Sequence, residues 1–171
     1  MIRVVAFYGV DLELDDELFY YPPFDYWIKV NRNEGIVSFG LTPAAHVREG
    51  GYRSLEYLVQ EGEMVGPGEP LAFAVTAKIK YLETVAGGVV INLNHALEQS
   101  TVSCQTAAGG SCLLASIRTD GGGKILPDII DFNQYVEMLR WHEKNFAPPG
   151  TKGAVSPTCR SVYYSIRKQK E

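Results

Sequence analysis

Cysteine is scarce in this sequence, with three among 171 residues, and the odd count comes without any Cys-x-x-Cys spacing. That pattern argues against a secreted disulfide framework and against a zinc ribbon. Three free thiols in a reducing cytosol are the expectation, and the chain is read as cytoplasmic. Long hydrophobic runs are missing as well. The longest, Pro70 to Ala77, has eight residues, against the roughly 20 that a membrane helix requires. Membrane spanning is therefore not expected. The short apolar start from Met1 to Tyr8 runs into Asp11, Glu13, Asp15, Asp16 and Glu17, which reads as a strand and an acidic turn rather than a signal peptide.

Basic residues are outnumbered, 16 against 20 acidic ones, for a net charge of −4. Such a surface repels phosphate backbones, and the basic cluster of Arg160, Arg167, Lys168 and Lys170 lies near the C-terminal end, so nucleic acid is not an expected partner. Catalytic motifs are absent too. There is no Gly-x-Ser-x-Gly, His-Glu-x-x-His or paired-carboxylate pattern, and Gly121-Gly122-Gly123-Lys124 has neither the Walker spacing nor a following Ser or Thr, so it reads as a linker. His46, His95 and His142 lie far apart, so a metal site would have to be assembled by the fold. His142 reads as a packing residue and His95 as a turn residue. No catalytic residue and no metal are expected.

What is present is 46% hydrophobic residues, in a chain long enough to bury about 70% of its unfolded surface without staples. Gly and Pro punctuation recurs at Tyr21-Pro22-Pro23, Gly50-Gly51, Gly66-Pro67-Gly68, Gly87-Gly88 and Gly109-Gly110. Between these breaks lie short runs rich in β-branched and aromatic residues. Tyr26 to Val30 and Ile36 to Gly40 flank Asn31 to Gly35, a hairpin signal. Leu71 to Ala77, Tyr81 to Val85, Val89 to Leu93 and Cys112 to Ile117 also read as strands. Many short strands between Gly turns predict a mainly β sandwich or barrel.

Two helices interrupt the β pattern. Thr42-Pro43-Ala44-Ala45-His46-Val47 opens with a capping threonine and a proline at the first helical position, and Gly50-Gly51 stops it. The second helix, over residues 129 to 146, places Phe132, Tyr135, Val136, Leu139, His142 and Phe146 at helical spacing. Asp131 with Gln134 reads as its capping box. Residues 1 to 150 are read as one domain, and 151 to 171 as a tail whose apolar patch, Val162, Tyr163, Tyr164 and Ile166, either packs on a partner or stays loose. The aromatic patch of Phe19, Tyr20, Tyr21, Phe24, Tyr26 and Trp27 reads as core by default and as an interface otherwise.

Taken in order, these segments resemble the glycine cleavage system H protein family. Four of them carry the resemblance: Asp25 to Val30, Gly35 to Thr42, Glu61 to Pro70, and Val85 to Val90 followed by Asn94 to Glu98. The resemblance covers about residues 24 to 146, and the order of four segments is more specific than any single glycine motif. It implies a barrel-sandwich hybrid of the lipoyl and biotinyl type with a C-terminal amphipathic helix. It also implies lipoate joined covalently to a hairpin-tip lysine, and a role as carrier of a small group, aminomethyl from glycine, between partner enzymes. Those partners would belong to a glycine-cleavage-type or other multienzyme system, with a lipoate ligase acting on the tip.

Two counts locate that lysine, and they disagree. Counting forward from Pro70 reaches Lys78, whereas counting back from Gly87 reaches Thr76, and Val75 stands where the family pattern has an acidic residue. Lys78 is the preferred attachment residue and Lys80 the second candidate. Alternating lysines on one strand also occur as a solvated edge that blocks edge-to-edge pairing. Two readings from other classes accompany the carrier: a non-lipoylated H-like scaffold or regulatory subunit of a larger complex, and a thiol redox protein using Cys104 and Cys112. Neither of those cysteines has an adjacent Lys, Arg or His to activate it, so both are read as packing residues.

Overall fold

The structure, a computed structural model, describes residues 1–105, 112–119 and 125–148. The tail beyond Gly150 and the Gly121-Gly122-Gly123 linker fall outside the described residues. The fold is mainly β with a few helices, in three sheets that do not close on one another.

The chain starts with a hairpin of β1 (Ile2–Phe7) and β2 (Val10–Asp15). This corrects the expected strand and acidic turn. Period-two alternation buries Leu12 and Leu14 of β2 while Asp11 and Glu13 face water, so a run that looks acidic in sequence has one apolar face. Strands β3 (Phe19–Tyr21), β4 (Tyr26–Asn31) and β5 (Ile36–Leu41) follow, with β4 and β5 forming the predicted hairpin in a register from Tyr26 opposite Leu41 to Asn31 opposite Ile36. Gly35 turns it at φ 66°, a region that glycine enters freely.

The first helix, α1, spans Pro43–Glu49 and stops at Gly50, which is left-handed at φ 70°. Thr42 occupies the N-cap without capping through its side chain; its hydroxyl lies 3.1 Å from the Tyr135 hydroxyl instead. Beyond α1 come β6 (Ser54–Tyr57), β7 (Met64–Val65), β8 (Pro70–Val75), β9 (Ile79–Glu83), β10 (Gly88–Leu93), the short α2 (Ala96–Gln99) and β11 (Leu113–Arg118). The last element, α3 (Phe132–Asn145), starts three residues later than expected, because the Asp131 and Gln134 capping box places the first helical residue at Phe132.

A six-stranded sheet has the order β3-β4-β5-β11-β10-β7, and a three-stranded sheet the order β6-β8-β9. Between them lies the larger core, including Ile28, Phe39, Leu41, Leu71, Leu82 and Leu114. A second core of Phe7, Leu12, Leu14, Tyr20, Trp27, Tyr135 and Leu139 joins the N-terminal hairpin to α3. The aromatic patch is thus mostly interior: Tyr20, Tyr21, Tyr26 and Trp27 are buried, whereas Phe19 is exposed and Phe24 half-buried. Tyr20 and Tyr135 stack at 4.4 Å.

The cysteine reading is corrected. Cys104 and Cys112 form a disulfide, both buried, with Cα atoms 4.7 Å apart. The sequence count misses this because a pair needs spatial proximity, which a count does not carry. With the bond made, cysteine usage gives no ground for assigning a reducing compartment. Among the described residues, no helix is long and apolar enough to cross a membrane.

Candidate functional site

The hairpin of β8 and β9 forms because both strands alternate. Ala72, Ala74 and Leu82 turn into the core while Ile79 and Tyr81 face out, and the alternation is broken only at the irregularity between Pro70 and Ala72, where Leu71 is buried as well. Its tip, Thr76-Ala77-Lys78, is held by one side chain. The Thr76 N–H donates to the Lys78 carbonyl at 2.8 Å, the Thr76 hydroxyl donates to the same carbonyl at 3.1 Å, and the Lys78 N–H donates to that hydroxyl at 3.2 Å. A small β-branched residue with a hydroxyl closes such a turn by local bonding.

This tip separates the two sequence counts. The backward count falls on Thr76, which is buried and has no amine, whereas the forward count falls on Lys78, which is exposed in the turn. The Lys78 bonds to Thr76 are all made by its backbone.

Lys80 is placed differently. It lies on β9 rather than on a shared strand with Lys78, and the alternation that turns Ile79 and Tyr81 outward sends Lys80 inward. Its Nζ is 2.7 Å from Glu49 Oε1, with side-chain exposures of 12% for Lys80 and 0% for Glu49, and it lies 5.4 Å above the Phe24 ring. A lysine stem that runs under cover to a fixed carboxylate is neither a solvated edge nor an open amine. Of the two candidates, Lys78 is the one whose side chain faces solvent.

Glu49 is itself fixed from below. It ends α1 beside Arg48, whose Nε is 3.0 Å from Asp25 Oδ2, both side chains being buried. Asp25 also accepts a 2.8 Å bond from the Tyr135 hydroxyl, and its carbonyl accepts from the Thr42 N–H at 2.9 Å. The Arg48 guanidinium lies 5.0 Å above the Phe7 ring. A second tie comes from the Tyr26 hydroxyl, which donates to the Glu83 carbonyl at 3.0 Å. The hairpin that presents Lys78 therefore stands on α1 and β4, and through Asp25 on α3. Sequence reasoning missed Asp25, Arg48 and Glu49. The available signal was a pair of charges at the end of a short helix that otherwise holds Pro43, two alanines, His46 and Val47, a position where exposure is the default.

The histidines occupy three environments. His46 is buried, with burial lowering its pKa to about 4, and its Nδ1 lies 3.3 Å from the Tyr52 backbone nitrogen. His142 packs on α3, its Nδ1 2.8 Å from the Tyr8 hydroxyl. His95 is exposed at the N-cap of α2 between Glu98 at 3.1 Å and Glu61 at 2.9 Å, which together raise its pKa, Glu98 most. Among the described residues, no group of three or more His, Cys, Asp or Glu could hold a metal ion.

No protein-family model matches the chain, and no curated protein matches it in sequence. Among solved structures it is similar to a glycine cleavage system H protein from Mycobacterium marinum, with a TM-score of 0.62 at 19% identity over 73% of this chain and 98% of that one. At that identity the likeness shows architecture alone: the chain has an H-protein-like fold.

Proposed function

We propose that this protein is a carrier rather than a catalyst, a barrel-sandwich hybrid that holds lipoate in amide linkage at Lys78. The observation that carries this reading is the Lys78 side chain, exposed in the turn between β8 and β9 of the three-stranded sheet, in a fold shared with an H protein. The residues fit the group: an amide link needs one accessible primary amine and a rigid mount, and the Thr76 staple supplies the mount. When bound, lipoate supplies a dithiolane that takes up and releases a small group by opening and closing one disulfide. The chain's own part is presentation. Thr76 fixes the turn, the Lys80–Glu49 pair and the Tyr26 bond hold β9, and the Lys78 stem projects into solvent, where a ligase and the partner enzymes of a glycine-cleavage-type or other multienzyme system reach it.

Intact-mass measurement on protein from its native host tests the reading. The expected result is a lipoyl adduct that maps to Lys78 and is lost in Lys78→Arg. Unmodified polypeptide from cells with active lipoate ligation rejects it.

One observation favours a second reading, a non-lipoylated scaffold subunit. Val75, directly across the hairpin from Ile79, takes the place of the acidic residue, so the tip is flanked by apolar side chains. Copurification with a larger enzyme whose activity survives Lys78→Ala would select the scaffold.

A further inference from the structure

We propose that Glu49 determines which lysine of the hairpin is acylated: by holding the Lys80 ammonium in a covered ion pair, it leaves Lys78 as the amine that an acyl donor reaches. The biological sense of this rests on the carrier reading, whereas the protection itself is a property of the fold.

The two lysines carry the same functional group two residues apart, and a strand advances only about 7 Å over that interval. Anything that covers the tip comes close to both. Acylation requires the unprotonated Nζ to attack the carbonyl carbon of an activated acyl donor, an acyl adenylate or an active ester. The C–N bond forms, the leaving group departs with the electron pair of the bond that breaks, and the amine's proton passes to solvent base. An ammonium engaged by a carboxylate has no lone pair to offer and must first leave its partner. At Lys80 that means separating Nζ from a carboxylate at 2.7 Å and withdrawing the stem from above Phe24.

Glu49 suits this role because its own position is fixed. It closes α1 between Arg48, bound to Asp25, and the left-handed Gly50, so its carboxylate cannot follow Lys80 outward without loosening the helix end. Among the described residues no ion pair covers Lys78, which sits exposed in the turn. Glu49 is thus a specificity-determining residue that touches neither the donor nor the reacting amine.

The test is competitive labelling of the folded full-length chain with the N-hydroxysuccinimide ester of acetic acid near neutral pH, followed by digestion and quantification of both sites. Wild-type protein should acetylate Lys78 at least about tenfold faster than Lys80, since Lys80 reacts only after local opening, and about 6 M urea should bring the two rates together. In Glu49→Gln the folded-state preference should fall to less than about threefold, with Glu49→Asp in between, because a shorter carboxylate holds the pair less well. Circular dichroism establishes that each variant is folded. Equal rates in the folded wild type overturn the proposal, as does a folded Glu49→Gln protein that still protects Lys80. If Glu49→Gln does not fold, the wild-type comparison with urea and the Glu49→Asp ratio decide. A parallel reaction with a lipoate ligase, lipoate and ATP should modify Lys78 alone in the wild type and both lysines in Glu49→Gln. A ligase that modifies neither site, with the chemical preference intact, counts against the carrier reading and leaves the Glu49 assignment standing.

Discussion

The Tyr135 hydroxyl donates to the Asp25 carboxylate at 2.8 Å across a sequence separation of 110 residues, in a region that neither side chain shares with solvent. This bond joins α3 to the turn that precedes β4, and Asp25 holds Arg48 with its other oxygen. Tyr135→Phe keeps the ring stacked on Tyr20 and removes only the hydroxyl. It should lower stability by about 1–2 kcal/mol, the cost of leaving a buried acceptor short of one partner. Asp25→Ala should cost more, about 3–5 kcal/mol, because it leaves the Arg48 charge buried without its carboxylate. Urea unfolding midpoints with matched m-values check both, and equal losses would show that the carboxylate acts only through Tyr135.

Acid sensitivity follows from His46. Burial lowers its pKa from 6.5 to about 4 in the folded protein, so between these values the unfolded chain binds a proton that the native one refuses. The contribution is fully present above pH 6.5, is lost progressively as pH falls toward 4, and changes little below that. The loss across the window should be on the order of 3 kcal/mol. His95 acts in the opposite sense, since its pKa is raised, but it is exposed and screened. Unfolding free energy measured at half-unit intervals from pH 4 to 8 should therefore rise with pH, and His46→Gln should flatten the slope.

Much of this architecture was legible from local pattern. Asn31 to Gly35 announced the β4–β5 hairpin because a turn and its flanking strands carry their own signals, and the capping box of Asp131 and Gln134 was legible because it is local, although the helix it opens starts at Phe132 rather than 129. The buried charges were not legible. Asp25, Arg48 and Glu49 belong to types that are exposed by default, and only the fold brings Arg48 to Asp25 and Glu49 to Lys80. The same holds for Thr42, which looked like a cap until Tyr135 took its hydroxyl. At the candidate site, counting from Pro70 reaches an exposed lysine and counting from Gly87 a buried threonine, because the returning arm is two residues shorter. Telling Lys78 from Lys80 required knowing which residue turns inward, and a tip of three residues between strands resets that alternation.

The Cys104–Cys112 disulfide, spanning a separation of 8 residues, should stabilise the protein by about 2.5 kcal/mol in the chain-entropy account. Non-reducing digestion should yield a cross-linked peptide two mass units lighter than its reduced counterparts. Without reductant, neither cysteine should react with a maleimide in the native state. The Cys104→Ser variant should unfold at lower urea concentration than the wild type and match the reduced protein. If oxidised and reduced wild type have the same midpoint, the bond contributes no net stability.

Beside that disulfide, the Gly40 and Cys112 backbones approach so closely that a Cβ on residue 40 would overlap the Cys112 carbonyl. The Cys112 carbonyl also accepts the Leu41 N–H at 3.1 Å, so it cannot retreat without breaking the link between β5 and the start of β11. Gly40 is not in a left-handed conformation, and the requirement there is space rather than backbone freedom. Gly40→Ala should cost about 1–3 kcal/mol, as expected for overpacking, although alanine is normally tolerated better than glycine inside a strand. Gly50→Ala makes the contrast, because that residue is left-handed with open space at its Cβ. Its cost, about 1 kcal/mol, is that of the conformation alone. Reduction of Cys104–Cys112 should then relieve part of the Gly40→Ala defect by letting Cys112 move, and should leave the Gly50→Ala defect unchanged. Urea midpoints of the two variants with and without reductant measure this, and an identical response from both would remove the steric explanation.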